Sequence, residues 1–258
     1  MNILIGDIGN TITKVCVVNS KNFKFKKIFY FDSNTLHLEN LLKNKFKRII
    51  KKDSINKISL FSSVVPKYKI LLQKFLKKNY KITLKEIKDK KIKKIVKINV
   101  KNKKQVGSDR ICNAAGVFYK YKSNCIVLDF GTATTFDVVT DKGVYQGGVI
   151  APGVNLSIKS LTRSADQIPI FSLKKQNKIV GKNTIEALRS GFYWGYSGLI
   201  NNIISKIEKE TKKKYKIIFT GGYADLFKTS IIRRFIIDKN ITIAGIIEIL
   251  KHNRKYLN

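Results

Sequence analysis

Two stretches of this 258-residue chain are written almost alike. Residues 3–13 read Ile-Leu-Ile-Gly-Asp7-Ile-Gly9-Asn10-Thr11-Ile-Thr13, and residues 126–135 read Ile-Val-Leu-Asp129-Phe-Gly131-Thr132-Ala-Thr134-Thr135. Each is an apolar run ending in aspartate, then one residue, then glycine, then a hydroxyl-rich run returning to β-branched residues. That order predicts a buried strand, a glycine turn edged by a carboxylate, and a second strand. The aspartates stand 122 residues apart (129 − 7), close to half the chain, so two related halves are expected. Glycine admits backbone close to a bulky anion, hydroxyls and backbone N–H groups donate to phosphate oxygens, and aspartate holds metal ions. The duplicated turn therefore points to phosphate chemistry.

The remaining patterning fits an α/β chain. Strands are expected near 2–6, 12–19 and 24–31, then a helix over 36–51 with Leu38, Leu41, Leu42, Phe46 and Ile49 at helical spacing. A strand at 57–62 precedes a helix after Pro66 that turns Ile70, Leu71, Phe75 and Leu76 inward. Residues 81–104 alternate lysine with isoleucine and valine, as short exposed strands and a loop do, and a helix follows at 108–121. The second half repeats the theme: strands at 124–129, 134–140 and 143–150, a helix to about 162, a long helix near 183–208, and a strand at 215–219. A helix after Gly222, a strand near 234–238 and a last helix from 242 to 252 complete it. The boundary falls at 115–123, giving lobes 1–118 and 119–258 with a cleft between them.

Charge needs interpretation before it is used. The chain carries 52 basic and 17 acidic residues, a formal net charge of +35. Only seven of the basic residues are arginine, the side chain whose planar fork reads phosphates and bases best. The lysines are spread along the chain among isoleucine and asparagine, the pattern of compositional drift that fills solvated faces, so no specific nucleic-acid partner is expected. No apolar stretch approaches 18 residues, and the N-terminus enters a motif directly, so neither a membrane span nor an export signal is expected and a cytoplasmic location is. Cys16, Cys112 and Cys125 lack metal-ligand spacing and read as buried thiols; His37 and His252 lie far from every motif and read as surface residues.

Beyond the two hairpins, three segments carry chemistry. Gly107-Ser108-Asp109-Arg110 opens a helix; the bland account is a cap with a local ion pair. The functional account has Asp109 accepting a proton from an attacking hydroxyl while Arg110 grips an acidic substrate or phosphates. Gly147-Gly148-Val-Ile-Ala-Pro152-Gly153 is a strand-to-helix corner, and Thr220-Gly221-Gly222 a strand end able to seat a base or ribose.

These motifs, in this order, resemble those of type III pantothenate kinase, within the acetate kinase/sugar kinase/heat-shock ATPase/actin superfamily. The matching pieces are Asp7-x-Gly9-Asn10-Thr11, Gly107-x-Asp109-Arg110-x-x-Asn113-Ala, Asp129-Phe-Gly131-Thr132-Ala133-Thr134-Thr135, Gly147-Gly148-x-Ile150-x-Pro152-Gly153, Gly181-x-Asn183-Thr184 and Thr220-Gly221-Gly222. The resemblance implies two ribonuclease H-like/actin-like ATPase lobes, each a mixed sheet flanked by helices. It implies transfer of the ATP γ-phosphate to the primary hydroxyl of pantothenate, the first step toward coenzyme A. Asp7, Ile8, Gly9, Asn10, Thr11, Ile12, Thr13 and Lys14 would then contact ATP, with Asp7 also serving its Mg²⁺. Thr132, Gly221 and Gly222 would contact the nucleotide. Gly107, Ser108, Asp109, Arg110 and Thr184 would bind pantothenate, with Asp109 as proton acceptor. Asp129 would hold a monovalent cation, potassium or ammonium. Family members are usually homodimers, and Ala187, Ser190, Gly191 and Gly195 form a small-residue stripe suited to helix contact, within the chain or between copies. One departure stands out: Val100 and Asn102-Lys103 replace the family's usual tyrosine and Asn-Pro pair.

Two rival readings follow from the same residues. A kinase of the same superfamily acting on another small alcohol or acid would share the nucleotide motifs and differ around 98–110 and 181–184. A regulatory or nucleic-acid-associated scaffold would fit the charge, but would not need Asp109, Asp129 and the paired glycines.

Overall fold

The computed structural model describes residues 2–50 and 55–256. The chain forms two compact units, residues 1–121 with 143–145 and 240–258, and residues 122–142 with 146–239.

In the first unit, β1 (Asn2–Ile8), β2 (Ile12–Asn19) and β3 (Phe25–Asp32) form an antiparallel meander. Helix α1 (Glu39–Ile49) leads to β4 (Ile58–Ser63), parallel to β1, and α2 (Pro66–Tyr80) leads to β5 (Thr83–Glu86), parallel to β4. The sheet order is β3-β2-β1-β4-β5. Pro66 starts α2 where its missing N–H costs nothing, and Lys81 in the left-handed region stops it. One sheet face packs Leu4, Ile8, Val15 and Phe61 against Leu42 and Phe46 of α1 and Leu72, Phe75 and Leu76 of α2. Ile70, expected inward, is exposed and Leu72 takes the buried position, because the α2 stripe runs through 72, 75 and 76. Leu38 is likewise exposed, one residue ahead of α1. Lys51, the expected end of that helix, lies outside the described residues. After β5 come the two-residue strand β6 (Lys97–Ile98) and α3 (Ser108–Tyr121). The opposite sheet face is covered by α3 and by the last helix, α6 (Ile241–His252). A cut at 118/119 would separate these helices; the structure packs α6 on α3 and on β1, inside the first unit.

The second unit repeats the plan. Strands β7 (Cys125–Phe130), β8 (Ala133–Val139) and β9 (Val144–Pro152) are followed by α4 (Val154–Ser164), α5 (Thr184–Thr211), β10 (Lys216–Gly221) and β11 (Phe235–Ile237). The order β11-β10-β7-β8-β9 matches β5-β4-β1-β2-β3, with β7 antiparallel to β8 and parallel to β10. The first two residues of β9, Val144 and Tyr145, belong to the first unit and pair with β6. Ile126, Leu128, Phe130, Phe136, Ile217 and Phe219 form one face of the core with Tyr193, Tyr196 and Ile200 of α5. No α-helix forms between Gly222 and Ser230; a turn and a short 3-10 segment (Leu226–Thr229) fill the space, pinned by fully buried Phe227 stacked on Phe130. Only four residues separate the glycine pair from that anchor, which leaves no room for a stable helix. All three cysteines are free and buried, as expected, and both histidines are exposed.

Candidate active site

Asp7 lies opposite Lys14 of β2 and Ser62 of β4. Because side chains alternate along a strand, these three share the sheet face away from the Leu4–Ile8 core, the face under α3 and α6. Beyond Ile8 the chain turns tightly, with the Gly9 N–H donating to the Ile12 carbonyl at 3.1 Å. Ser33, which no motif singled out, braces this turn. Its N–H donates to the Thr11 carbonyl at 2.8 Å, its hydroxyl to the Gly9 carbonyl at 2.8 Å, and the buried Thr13 hydroxyl lies 2.9 Å from its own. Asn10, Thr11 and Ile12 are left exposed, while Ile8 and Thr13 are buried. The eight-residue run therefore divides into an exposed tip and a structural base.

The second predicted segment opens α3. The Asp109 carboxylate folds back over the helix start and accepts the Arg110 N–H at 2.7 Å. A side chain on Gly107 would meet that carboxylate at 2.5 Å, which explains the glycine. Burial raises the Asp109 pKa above its ordinary range, against the opposing pull of the Arg110 N–H, the Arg110 guanidinium and, more weakly, Lys88. Arg110 reaches over the Tyr145 ring, 5.6 Å from its centroid. One helical turn on, Cys112 is fully buried, and its thiol pKa is pushed well up, first by burial and then by the Asp7 and Asp109 carboxylates. That coupling places Asp7 and Asp109 in one neighbourhood of the first unit, although 102 residues (109 − 7) separate them in sequence. A hydroxyl held there would meet the half-buried Asp109 carboxylate, which can accept a proton.

In the second unit the pattern returns with different side chains. Asp129 lies opposite Thr135 of β8 and Thr220 of β10, as Asp7 lies opposite Lys14 and Ser62. The turn is one residue shorter: Phe130 pairs with Thr134, whereas Ile8 pairs with Thr13. Thr132 is exposed at its tip, and Thr134 is buried on the core side of the sheet, so the hydroxyl run does not act as one donor set. Gly221 adopts φ +85°, and a side chain there would strike Phe130 backbone and Asp129 Oδ1; the neighbouring Gly222 N–H donates to the Phe130 carbonyl at 3.0 Å. Gly153 caps the corner after β9, and a side chain on it would overlap the Gly131 and Thr132 carbonyls. The glycines thus hold the corner and the β10 end against the hairpin tip. Asp137, fully buried two residues beyond Thr135 on the same face, went unnoticed in sequence because it reads as part of an ordinary strand. Thr184 is the exposed first residue of α5, behind an Asn183 cap that accepts the Glu186 N–H at 2.9 Å while Glu186 accepts from its amide at 3.0 Å.

The family model for type III pantothenate kinase matches residues 3–206. A protein of Pelagibacter ubique named type III pantothenate kinase is 51% identical over 245 residues, 95% of this chain and 97% of its own. The chain belongs to the type III pantothenate kinase family. A relative of the same name from Citrifermentans bemidjiense is 37% identical over 76% of each chain. Solved structures agree on the fold. A Campylobacter jejuni protein described as a Baf family transcriptional activator matches with a TM-score of 0.63 at 20% identity, over 98% of this chain and all of that one. MreB5 of Spiroplasma citri matches with a TM-score of 0.52 at 13% identity, over 98% and 97% of the two chains. The two mixed sheets of matching order are those of the actin-like ATPase and sugar kinase folds.

Proposed function

We infer that this chain phosphorylates pantothenate with ATP, the first step toward coenzyme A, and the observation that carries the reading is near-full-length 51% identity to a relative of that name. The site geometry supports it. Asp109 orients the primary alcohol and accepts its proton; Gly107, Ser108 and Arg110 hold the substrate, Arg110 facing its carboxylate. Thr184 contacts the same substrate. Asp7 through Lys14 serve the ATP phosphates, through the exposed tip Asn10-Thr11-Ile12 and the Lys14 ammonium, and Thr132, Gly221 and Gly222 serve the nucleotide. A buried carboxylate at a glycine turn fits Mg²⁺, which binds through one or two carboxylates plus substrate phosphates. ATP consumption by the purified protein that starts only when pantothenate is added is the direct test, and a panel of small alcohols and acids separates this activity from that of other kinases.

The surroundings of Asp129 suit a monovalent cation. Thr220 lies directly opposite, and its buried hydroxyl has no hydrogen-bond partner, leaving an oxygen donor beside a carboxylate. Potassium or ammonium there would offset negative charge near the nucleotide. Asp129→Ala is expected to weaken ATP binding and flatten the rise of activity with potassium. A titration with potassium that matches wild type removes the cation from this residue.

The reading includes a homodimer through α5. Gly191, Gly195 and Gly198 lie along one exposed stripe, and a Cβ at any of them meets nothing within 4 Å. Ser190, expected in that stripe, is instead buried against the Ile179 carbonyl. Packing within the described residues therefore does not explain why three glycines stand in a helix where each costs roughly 1 kcal/mol; a second helix approaching closely does. Gly195→Arg is expected to elute as a monomer by light scattering with its circular dichroism unchanged, and an undisturbed dimer counts against this face. Among the described residues no helix is long and apolar enough to cross a membrane. An enzyme drawing on ATP and carrying three reduced thiols belongs in the cytoplasm.

A further inference from the structure

Outside the predicted motifs, one cluster in the first unit ties two distant segments to the start of α3. β5 ends at Glu86, which is buried. Its Oε1 accepts the Ser108 hydroxyl at 2.6 Å, and its Oε2 accepts the Lys88 N–H at 2.8 Å. The Glu86 N–H in turn donates to Asp89 Oδ2 at 3.0 Å, which closes the turn. Lys88 then reaches the other way: its ammonium donates to the Val106 carbonyl at 2.7 Å and to the Lys104 carbonyl at 3.2 Å.

Two side chains from one turn thus grip both the first residue of α3 and the segment leading into it. That segment needs holding. Lys103–Gln105 is a single 3-10 turn with no buried residue, and Val106 is its one buried anchor before Gly107. It is also where Val100 and Asn102-Lys103 depart from the family pattern. A charge-assisted bond to two carbonyls is stronger than a neutral one and fixes the direction in which a flexible glycine hands the chain to Asp109. Lys88 spends two donors on backbone carbonyls.

We propose that Glu86 and Lys88 are positioning residues for the pantothenate subsite, setting the path of residues 102–107 and the start of α3, and through them the placement of Asp109. The proposal rests on the kinase reading above. Neither side chain needs to touch substrate; Glu86 acts through Ser108, and Lys88 through the Lys104 and Val106 carbonyls.

The test compares wild type with Lys88→Met, Lys88→Arg and Glu86→Gln in steady-state assays varying pantothenate and ATP separately, alongside amide hydrogen exchange. Lys88→Met removes the donor at an exposed residue, so the fold survives. It is expected to raise KM for pantothenate or lower kcat by about 10-fold, on the scale of a sub-ångström misplacement, with KM for ATP within about two-fold. Amides of 103–109 exchange faster in it, those of β1 and β2 do not, and Lys88→Arg recovers most of the loss. Glu86→Gln, which keeps an acceptor for Ser108, falls between. Wild-type kinetics in Lys88→Met, or equal rises in both KM values, overturn the proposal. An inactive wild type would overturn the kinase reading instead, while an unchanged exchange pattern at 103–109 would still reject the clip.

Discussion

Asp109→Asn is expected to lower kcat by about 10²-fold or more while the protein stays folded and binds ATP. Asp109 is half-buried at the start of α3, where the loss of solvent around its carboxylate outweighs the neighbouring Arg110 and Lys88 charges and its own helix N–H groups, and the pKa rises above the ordinary 3.8. A base must be ionised to accept a proton, so activity climbs with pH through this raised value, and the acid limb of the rate profile lies above that of an exposed aspartate. The asparagine variant loses that limb. Stability moves the other way. A carboxyl whose folded pKa exceeds its unfolded one binds more protons in the native state. Its contribution is then greatest below 3.8 and is lost as pH rises through the raised value. At neutral pH the charge is a net cost, and the asparagine side chain removes it while its amide oxygen still accepts from the Arg110 N–H. Turnover should collapse as Tm holds or rises. A variant with kcat within ten-fold of wild type takes Asp109 out of the role, and one that melts well below wild type shows that the charge was structural.

The fold was legible where it rests on local pattern. Both hairpins, the helix after Pro66 and the α3 start follow from alternation, glycine and a proline at a first turn, and the ranges agree to within a few residues. The repeat went further than the motifs announced. Both sheets share a five-strand order, to which β6 adds a sixth strand at the edge of the second, and each aspartate has a hydroxyl directly opposite on the fourth strand, Ser62 for Asp7 and Thr220 for Asp129. Ser62 sits in an ordinary Ser-Ser pair, and only strand register gives it meaning. Ser33, Glu86 and Lys88 were invisible for a related reason: their partners lie some twenty residues away, across a turn or a sheet, and no spacing rule encodes that. Amphipathic patterning also misplaced Ile70, since a lysine-rich helix with apolar residues at 70, 71, 72, 75 and 76 offers more than one stripe, and packing on the sheet decides. The seat of α6 was equally hidden, because a terminal apolar helix says nothing of which sheet it will cover.

Gly245→Ala is expected to destabilise the protein by about 2 kcal/mol or more, the opposite of what an exchange of glycine for alanine does in an open helix. α6 crosses α3 so closely that a Cβ at Gly245 would run into the Cys112 carbonyl, and one at Gly116 into the Ile241 carbonyl. Both obstacles are helix backbone, which cannot rotate aside as a side chain can, so the helices must separate. The same crossing buries a hydrogen bond from the Thr242 hydroxyl to Asn113 Oδ1 at 2.8 Å, and separation would strain that too. Helix propensity alone predicts a gain of roughly 1 kcal/mol from the exchange, so even the sign of the result is diagnostic. Urea unfolding gives the measurement, and a variant as stable as wild type would show that α3 and α6 do not meet at this distance. Activity should fall with stability, because Cys112 stands three residues from Asp109 on the helix that would be displaced. The glycines of α5 mark the contrast: Gly191, Gly195 and Gly198 have empty space where Gly245 has a carbonyl. Identical residues in two helices thus answer to opposite surroundings, one set facing open space and the other pressed against backbone.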